Sequence, residues 1–362
     1  MSSQTIATHL LDWFRPQARD LPWRHSQNPY TVWLSEVMLQ QTQIETVLPY
    51  YTHFVTKYPT VHLLAQAPLD DVLKMWEGLG YYSRARHLHQ TAQIISNTYG
   101  GNFPTTPEQL MTLPGIGRYT ASAIASIAYG YPSAVLDGNV MRVLARLDDL
   151  AEDITDKATQ ARLWERAQAL LPSDSPGDYN QAIMELGQKV CRPATPHCGE
   201  CPLQAHCLAF AHNTQAIRPV KTKKPPTPHY DVAAAMVWDD AGRVLIAQRP
   251  LEGLLGGLWE FPGGKQEAGE SLSECVQREL REELAIEVEV LELFTVVKHA
   301  FTHFKITLHA FTCRYRPSAH PPQKHGVQDY AWVHVEELAR YSFGKADRVV
   351  IEELHNRRGM LL

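Results

Sequence analysis

The 362-residue chain has no run of ~18 or more apolar residues, so no membrane-spanning helix is expected. The first residues, Met1-Ser-Ser-Gln-Thr5, carry neither a basic region nor an apolar stretch, so no export signal is read and an intracellular protein is expected. An excess of positive charge is also missing. The net charge is −5, and residues 1–220 hold 16 Lys and Arg against 19 Asp and Glu. Any surface for nucleic acid must therefore come from local clustering and from backbone donors rather than from a basic domain. Cysteine is scarce, six in all, yet four of them crowd into Cys191–Cys207.

The length suits two domains of ordinary size, each able to bury a core. The first half reads as helical. Its centre is Leu113-Pro-Gly-Ile-Gly-Arg-Tyr-Thr-Ala121, in which Gly115 and Gly117 form a tight turn. Thr106-Pro107-Glu108 announces the helix before the turn, and a small-residue helix from Ala121 follows and stops at Gly130. This is a helix-hairpin-helix outline, whose second helix offers free N–H groups and a positive end to a phosphate. On the turn alone an ordinary αα-corner fits as well. Asp137 precedes an amphipathic run with Val140, Val143, Leu144 and Leu147, and taken alone it is a helix N-cap.

A helix is expected from Val32 to Leu48, with Glu36, Gln40 and Gln43 along one edge. Between later helices, Trp76-Glu-Gly-Leu-Gly-Tyr-Tyr-Ser-Arg-Ala-Arg86 places two tyrosines and two arginines in one glycine-rich turn. Such a turn suits an aromatic wedge for a base stack, with Arg84 and Arg86 on the flanking phosphates. The spacing Cys191-x6-Cys198-x2-Cys201-x5-Cys207 is too regular for spare core thiols, and both zinc and an iron–sulfur cluster suit four thiolates. Cys275 and Cys313 are expected in the core. His212–His229 is rich in proline, lysine and arginine and lacks acids, which predicts an extended linker.

From Tyr230 the pattern turns to strands: Val232–Trp238, a turn at 239–242, then Arg243–Gln248. Gly264-x5-Glu270-x7-Arg278-Glu279-Leu-x-Glu282-Glu283 is a Nudix box, complete except that Ala285 stands where glycine is usual. Helical spacing lets Glu279, Glu282 and Glu283 hold a divalent cation such as Mg²⁺ against a diphosphate.

The hairpin followed by Val-Leu-Asp137-Gly-Asn resembles the base-excision glycosylase superfamily that includes endonuclease III. The wording Trp33-Leu-Ser-Glu-Val-Met-Leu-Gln-Gln-Thr-Gln43 is similar to the MutY family of adenine glycosylases, and the likeness runs from about Leu11 to Trp332. It implies an all-α helix-hairpin-helix domain over residues 1–211 with a [4Fe–4S] loop on Cys191, Cys198, Cys201 and Cys207. A linker over 212–229 and an α+β Nudix-like domain over 230–362 complete the expected fold. The resemblance further implies Glu36 and Asp137 as the acid and the carboxylate of base removal, with Tyr119 and Asn139 orienting them. Arg24, Gln181 and Glu185 would line the adenine pocket. Gln40, Gln41, Tyr81, Gly115, Gly117, Arg84 and Arg86 would meet DNA, and Phe301-Thr302-His303 would read 8-oxoguanine, with threonine where the family has serine. Tyr119 stands where endonuclease III-like relatives carry a lysine nucleophile, so no strand cleavage through an imine is expected.

The expected activity is monofunctional removal of adenine from 8-oxoguanine·A and G·A mispairs in double-stranded DNA. The protein doing so would be a monomer with no membrane association, cytoplasmic and at the nucleoid. A relative with another base preference and a non-catalytic DNA-binding scaffold are the rival readings. A second, nucleotide-hydrolysing activity of the Nudix box stands beside them.

Overall fold

In the computed structural model, residues 3–222, 225–317 and 320–359 are described. They fall into two compact units, Met1–Gln66 with His87–Lys224 and Ala67–Arg86 with Pro225–Leu362.

The first unit is helical. The helix Pro29–Leu39 is its most buried element, with every residue from Val32 to Met38 inside. An all-round buried helix must be packed on several sides. One neighbour is the helix Arg118–Tyr129, whose Ala121, Ala123 and Ala125 are fully buried. Small residues let backbones approach closely: a Cβ at Gly177, in the helix Pro176–Lys189, would lie 2.7 Å from the Ser126 carbonyl oxygen. The helix Gly138–Leu147 contributes Val140, Val143, Leu144 and Leu147 to the same core.

The single helix expected from Val32 to Leu48 is two. The first stops at Leu39 and the second, Ile44–Lys57, begins after Gln43. Gln41 takes a left-handed backbone conformation, φ 58°, and Gln40 leaves the helical region, ψ 111°. Glu36, Gln40 and Gln43 therefore do not share a helix face. No glycine or proline marks the break, so periodicity carried straight across it.

The linker reading is also corrected. Asp149 accepts hydrogen bonds from His212, Thr214 and Arg218, and the Ile154 amide donates to the Val220 carbonyl at 3.1 Å. Residues 212–222 are thus bound to the helical unit, where the half-buried Asp149 and Asp153 meet their cations and hydroxyls. Lys223 and Lys224, part of that linker, lie outside the described residues.

The second unit is built on a seven-stranded mixed sheet. Its strands are β1 (His229–Trp238), β2 (Val244–Gln248), β3 (Trp259–Glu260), β4 (Gly263–Lys265), β5 (Glu287–Ala300), β6 (Lys305–Arg316) and β7 (Asp329–Val333). The main path runs β3-β2-β1-β6-β5, with β4 on β1 and β7 on β2. β1 and β6 are parallel, and the other pairs are antiparallel. β1 is buried on both faces. Ala233, Ala235 and Val237 meet the helix Leu272–Leu284, while Ala234 and Met236 face the side covered by Val350 and Leu354. Period-two alternation explains why one strand serves two cores. Cys275 and Cys313 are core residues, as expected. Among the described residues no helix is long and apolar enough to cross a membrane.

Candidate active site

The helix Pro29–Leu39 carries Glu36 into a cavity of about 620 Å³, which Asp137, Tyr119, Asn139, Gln181 and Glu185 also line. Glu36 is 6 % exposed. Burial pushes its carboxyl up to about 7; the hydroxyl of Tyr119, donating to Oε2 at 2.9 Å, works against that rise, and the charge of Asp137 adds to it. Glu36 therefore holds a proton near neutral pH while its Oε2 accepts from the fixed Tyr119 hydroxyl. Burial, followed by the charges of Glu36 and Asp137, holds Tyr119 well above the ordinary tyrosine range, so its hydroxyl stays a donor. The same hydroxyl lies 3.1 Å from the Met184 sulfur.

Asp137 caps the helix Gly138–Leu147 and lines the cavity as well. Its Oδ1 accepts from the amides of Asn139 at 2.9 Å and Val140 at 2.7 Å, and its Oδ2 accepts from Asn139 Nδ2 at 2.8 Å. Asn139 is fixed in turn, since its Oδ1 accepts from Arg142 at 2.8 Å. Arg142 also donates to the carbonyls of Gly187 and Cys191, both at 2.7 Å. Three donors thus fix this one carboxyl in place. The two acids thus sit in one cavity in opposite environments, one desolvated and one saturated with donors.

Glu185, at the cavity wall, is 1 % exposed and bound by Arg24 at 2.7 Å and Lys189 at 2.6 Å. Burial opposes its ionisation, yet the bonds from Lys189 and Arg24 and the charges of Arg24 and Arg19 hold it below the usual carboxylate range. Arg24 is therefore tied to a buried acid, not to a surface one. Gln181 reaches back to the Gly177 carbonyl at 3.3 Å.

At the hairpin, Gly115 has φ 72° and a Cβ there would lie 2.6 Å from the His87 Cβ, so conformation and space both require glycine. Gly117 has an ordinary φ of −85° and open space about it. It caps the helix Arg118–Tyr129 without a side-chain hydrogen bond, leaving that helix end uncovered. Gln40 donates to the Thr120 hydroxyl at 3.1 Å, and Gln41 is exposed beside the cavity.

Cys191, Cys198, Cys201 and Cys207 line one small cavity of about 30 Å³. Among the described residues no three His, Cys, Asp or Glu side chains stand at the spacing of a single metal ion. Four thiols around a shared space are a donor set that a metal centre could use. Donors to sulfur are in place: Arg146 Nη1 lies 3.3 Å from Cys191 Sγ, and the backbone amides of Leu203 and Phe210 serve Cys201 and Cys207. Arg146 is 2 % exposed and also bonds the carbonyls of Arg192, Pro193 and Arg218. Arg142 and Arg146 were not foreseen. Two arginines four apart on an amphipathic helix read as surface, and their carbonyl partners are far away in sequence.

In the second unit, Tyr81 sits at φ 49°, is 40 % exposed, and its hydroxyl lies 2.5 Å from the Thr302 hydroxyl. Phe301, Thr302 and His303 are at the β5–β6 turn, closed by the Phe301 amide on the Phe304 carbonyl at 2.8 Å. Phe301 meets the His299 ring edge-on and the Phe304 ring at a tilt of 30°, each with ring centres 4.6 Å away. Arg84 is not a surface cation: it is 7 % exposed, bonds the Leu79 and Gly80 carbonyls, and covers the Trp76 ring. Arg86 bonds the Gly256 carbonyl at 2.6 Å. The Arg84 guanidinium holds the turn together, since three left-handed residues, Gly78, Gly80 and Tyr81, leave its carbonyls unpaired by helix, while Arg86 ties its end to the loop at Gly256.

The Nudix carboxylates share an arginine partner. Arg278 bonds Glu270 at 2.8 Å, Glu279 at 3.0 Å and Glu282 at 3.1 Å. Glu279 lies over Gly264, where a Cβ would strike its carboxylate. Glu283 turns inward, and burial followed by the charge of Glu279 pushes it up to about 7.

A helical unit that buries one proton-holding acid beside one fully hydrogen-bonded carboxylate, with a hairpin on its surface, has the make-up of a helix-hairpin-helix base-excision enzyme. Residues 34–169 match the family described as HhH-GPD superfamily base excision DNA repair protein, and residues 233–353 match the NUDIX domain. Adenine DNA glycosylase of Rattus norvegicus is 38 % identical over 84 % of this chain and 69 % of its own length. That of Mus musculus is 38 % identical over 84 % of this chain and 70 % of its own. The structure of a thermostable thymine-DNA glycosylase superposes with a TM-score of 0.53 at 28 % identity, covering 58 % of this chain and 97 % of that one. An endonuclease III trapped on DNA shares the fold, with a TM-score of 0.50 at 24 % identity over 59 % of this chain and 99 % of that one. The chain belongs to the adenine DNA glycosylase family.

Proposed function

We propose that this chain removes adenine mispaired with 8-oxoguanine, or with guanine, from double-stranded DNA by hydrolysis of the N-glycosidic bond. The observation that carries the chemistry is the pairing of Glu36 and Asp137 in one cavity with opposed environments. A base inside a duplex is out of reach, so the adenine is flipped into the cavity at a cost of a few kcal/mol. Glu36, protonated near neutral pH, gives its proton to a ring nitrogen and makes the base a leaving group. Asp137 as a carboxylate stabilises or captures the oxocarbenium-like sugar until water completes the reaction, the logic of two carboxyls in distinct roles. Tyr119 orients the Glu36 carboxyl, and Asn139, held by Arg142, orients Asp137. Gln181 and Glu185 bound the space for the base.

Phosphate contact is assigned to the uncovered helix end at Gly117 and to Gln40 and Gln41 at the helix break. Tyr81 is assigned as the wedge and Thr302 as the reader of 8-oxoguanine, supported by their exposure at neighbouring turn tips. Arg84 shapes that turn, and Arg86 is spent on the Gly256 carbonyl, rather than binding phosphate. Cys191, Cys198, Cys201 and Cys207 would hold a [4Fe–4S] cluster, which when bound ties the 191–207 loop together. Iron and acid-labile sulfide analysis tests that assignment. Magnesium at Glu279, Glu282 and Glu283 would compete with Arg278, which bonds the first two of these carboxylates.

The test is single-turnover incubation with an 8-oxoguanine·A duplex and a G·A duplex, each read with and without alkali. Alkali-dependent cleavage, faster on the first, supports the reading. Cleavage without alkali, or an adduct trapped by borohydride, would contradict a site whose hairpin position is Tyr119 rather than an amine.

A further inference from the structure

A base that enters a cavity while attached to DNA leaves its own entrance covered by that DNA. Once the bond is cut, the free base has either to wait for the duplex to leave or to use another way out. The helical unit contains a second cavity, of about 350 Å³, whose lining shares Arg24, Ile127 and Gln181 with the cavity that holds Glu36. Its volume falls within the ~300–1,000 Å³ of ordinary small-molecule sites.

The partition between the two is uneven. Arg24 is fixed by Glu185 at 2.7 Å and by the Arg19 carbonyl at 3.1 Å. Gln181 is held by one long bond, 3.3 Å, to a carbonyl of its own helix. It is the side chain that can swing with least loss. The second cavity is lined by hydroxyl, amide and charged groups, including Ser26, Gln27, Ser126 and Ser175. Its formal charges balance, Arg15 and Arg24 against Asp174 and Asp178, with Arg15 3.6 Å from Asp178. A balanced, hydrogen-bonding lining suits a neutral purine base and gives no preference to a phosphate.

We propose that this second cavity is an exit for the free base, gated by Gln181, through which adenine leaves while the abasic duplex is still bound. The proposal rests on the glycosylase reading above. It identifies a site for product, not for catalysis, and it makes release of base and release of DNA separate events.

The experiment uses the full chain with its native cofactor and a duplex labelled in the mispaired adenine. Bond cleavage is read by quenching, and free base by rapid filtration that retains the protein–DNA complex. In the native protein, base is expected in the filtrate at the rate of cleavage, ahead of DNA dissociation. Gln27→Trp and Ser26→Trp, both at exposed positions on the second cavity, are expected to keep cleavage within about twofold and to slow base release about tenfold or more. Native protein that holds the base until DNA dissociates, or plugged variants that release it at the native rate, would overturn the exit. So would loss of cleavage in both variants, which would place this cavity in the reacting site. Absence of cleavage by the native protein would overturn the glycosylase reading itself, and the exit with it.

Discussion

Replacing Glu36 by glutamine removes the acid and, by the same physics, stabilises the protein in a way that depends on pH. The carboxyl is raised from 4.5 to about 7 by burial. Each tenfold in proton affinity is worth ~1.4 kcal/mol, so the ionised side chain carries about 3 kcal/mol of unfavourable energy in the folded state. A raised carboxyl favours folding in its protonated form. That contribution is complete below the unfolded value of 4.5 and is lost as pH rises through 7. Glu36→Gln stays neutral throughout. At pH 8 it should be more stable than the native protein by about 3 kcal/mol; at pH 5.5 the gap should shrink to ~1.5 kcal/mol, and below 4.5 it should close. Paired thermal or urea unfolding at each pH measures the gap, and because the rest of the chain is unchanged, its other titrations cancel. A gap that stays constant with pH, or that widens toward acid, would refute the burial argument and with it the reason Glu36 holds a proton.

Tyr119→Phe removes a donor that favours the ionised form of Glu36, so the carboxyl should rise further and the alkaline limb of the excision profile should move to higher pH. A shift to lower pH in single-turnover rates would show that Tyr119 does not act through Glu36. Thr302→Ala should reduce preference for 8-oxoguanine·A over G·A more than it slows excision; equal slowing on both duplexes would remove Thr302 as reader. Ala285 caps the helix Leu272–Leu284 at φ 54°, a conformation disfavoured by a Cβ. Ala285→Gly should therefore stabilise the second unit by ~0.5–1 kcal/mol in unfolding experiments, and a loss of stability would show that the methyl packs favourably.

How much of this was legible in the sequence depended on whether the cause was local. The hairpin, the cap at Asp137, the strands from His229 and the Nudix helix were readable because glycines, a capping acid and period-two alternation are nearest-neighbour signals. Glu36 as a raised acid followed from an apolar helix. The break at Gln40–Gln43 was not legible, since glutamines tolerate helix and a left-handed Gln41 carries no glycine or asparagine to announce it. Arg84 and Arg142 were hidden for a related reason: their partners are backbone carbonyls, which have no sequence signature. The folding of residues 212–222 onto the helical unit depends on Asp149 and Asp153, more than sixty residues earlier. Composition could show that segment as basic and proline-rich, but not that its cations were already matched.

The most direct test of the account is single-turnover excision by Asp137→Asn alongside native protein on an 8-oxoguanine·A duplex, with duplex affinity measured in parallel. Asparagine can accept the helix amides, but its NH₂ faces Asn139 Nδ2, which is already oriented by Arg142. The fold should survive a cost of about 1 kcal/mol. Excision should be abolished while DNA binding persists, because only the charge opposite the departing base is lost. Near-native excision by a folded Asp137→Asn would contradict the two-carboxyl mechanism at its root.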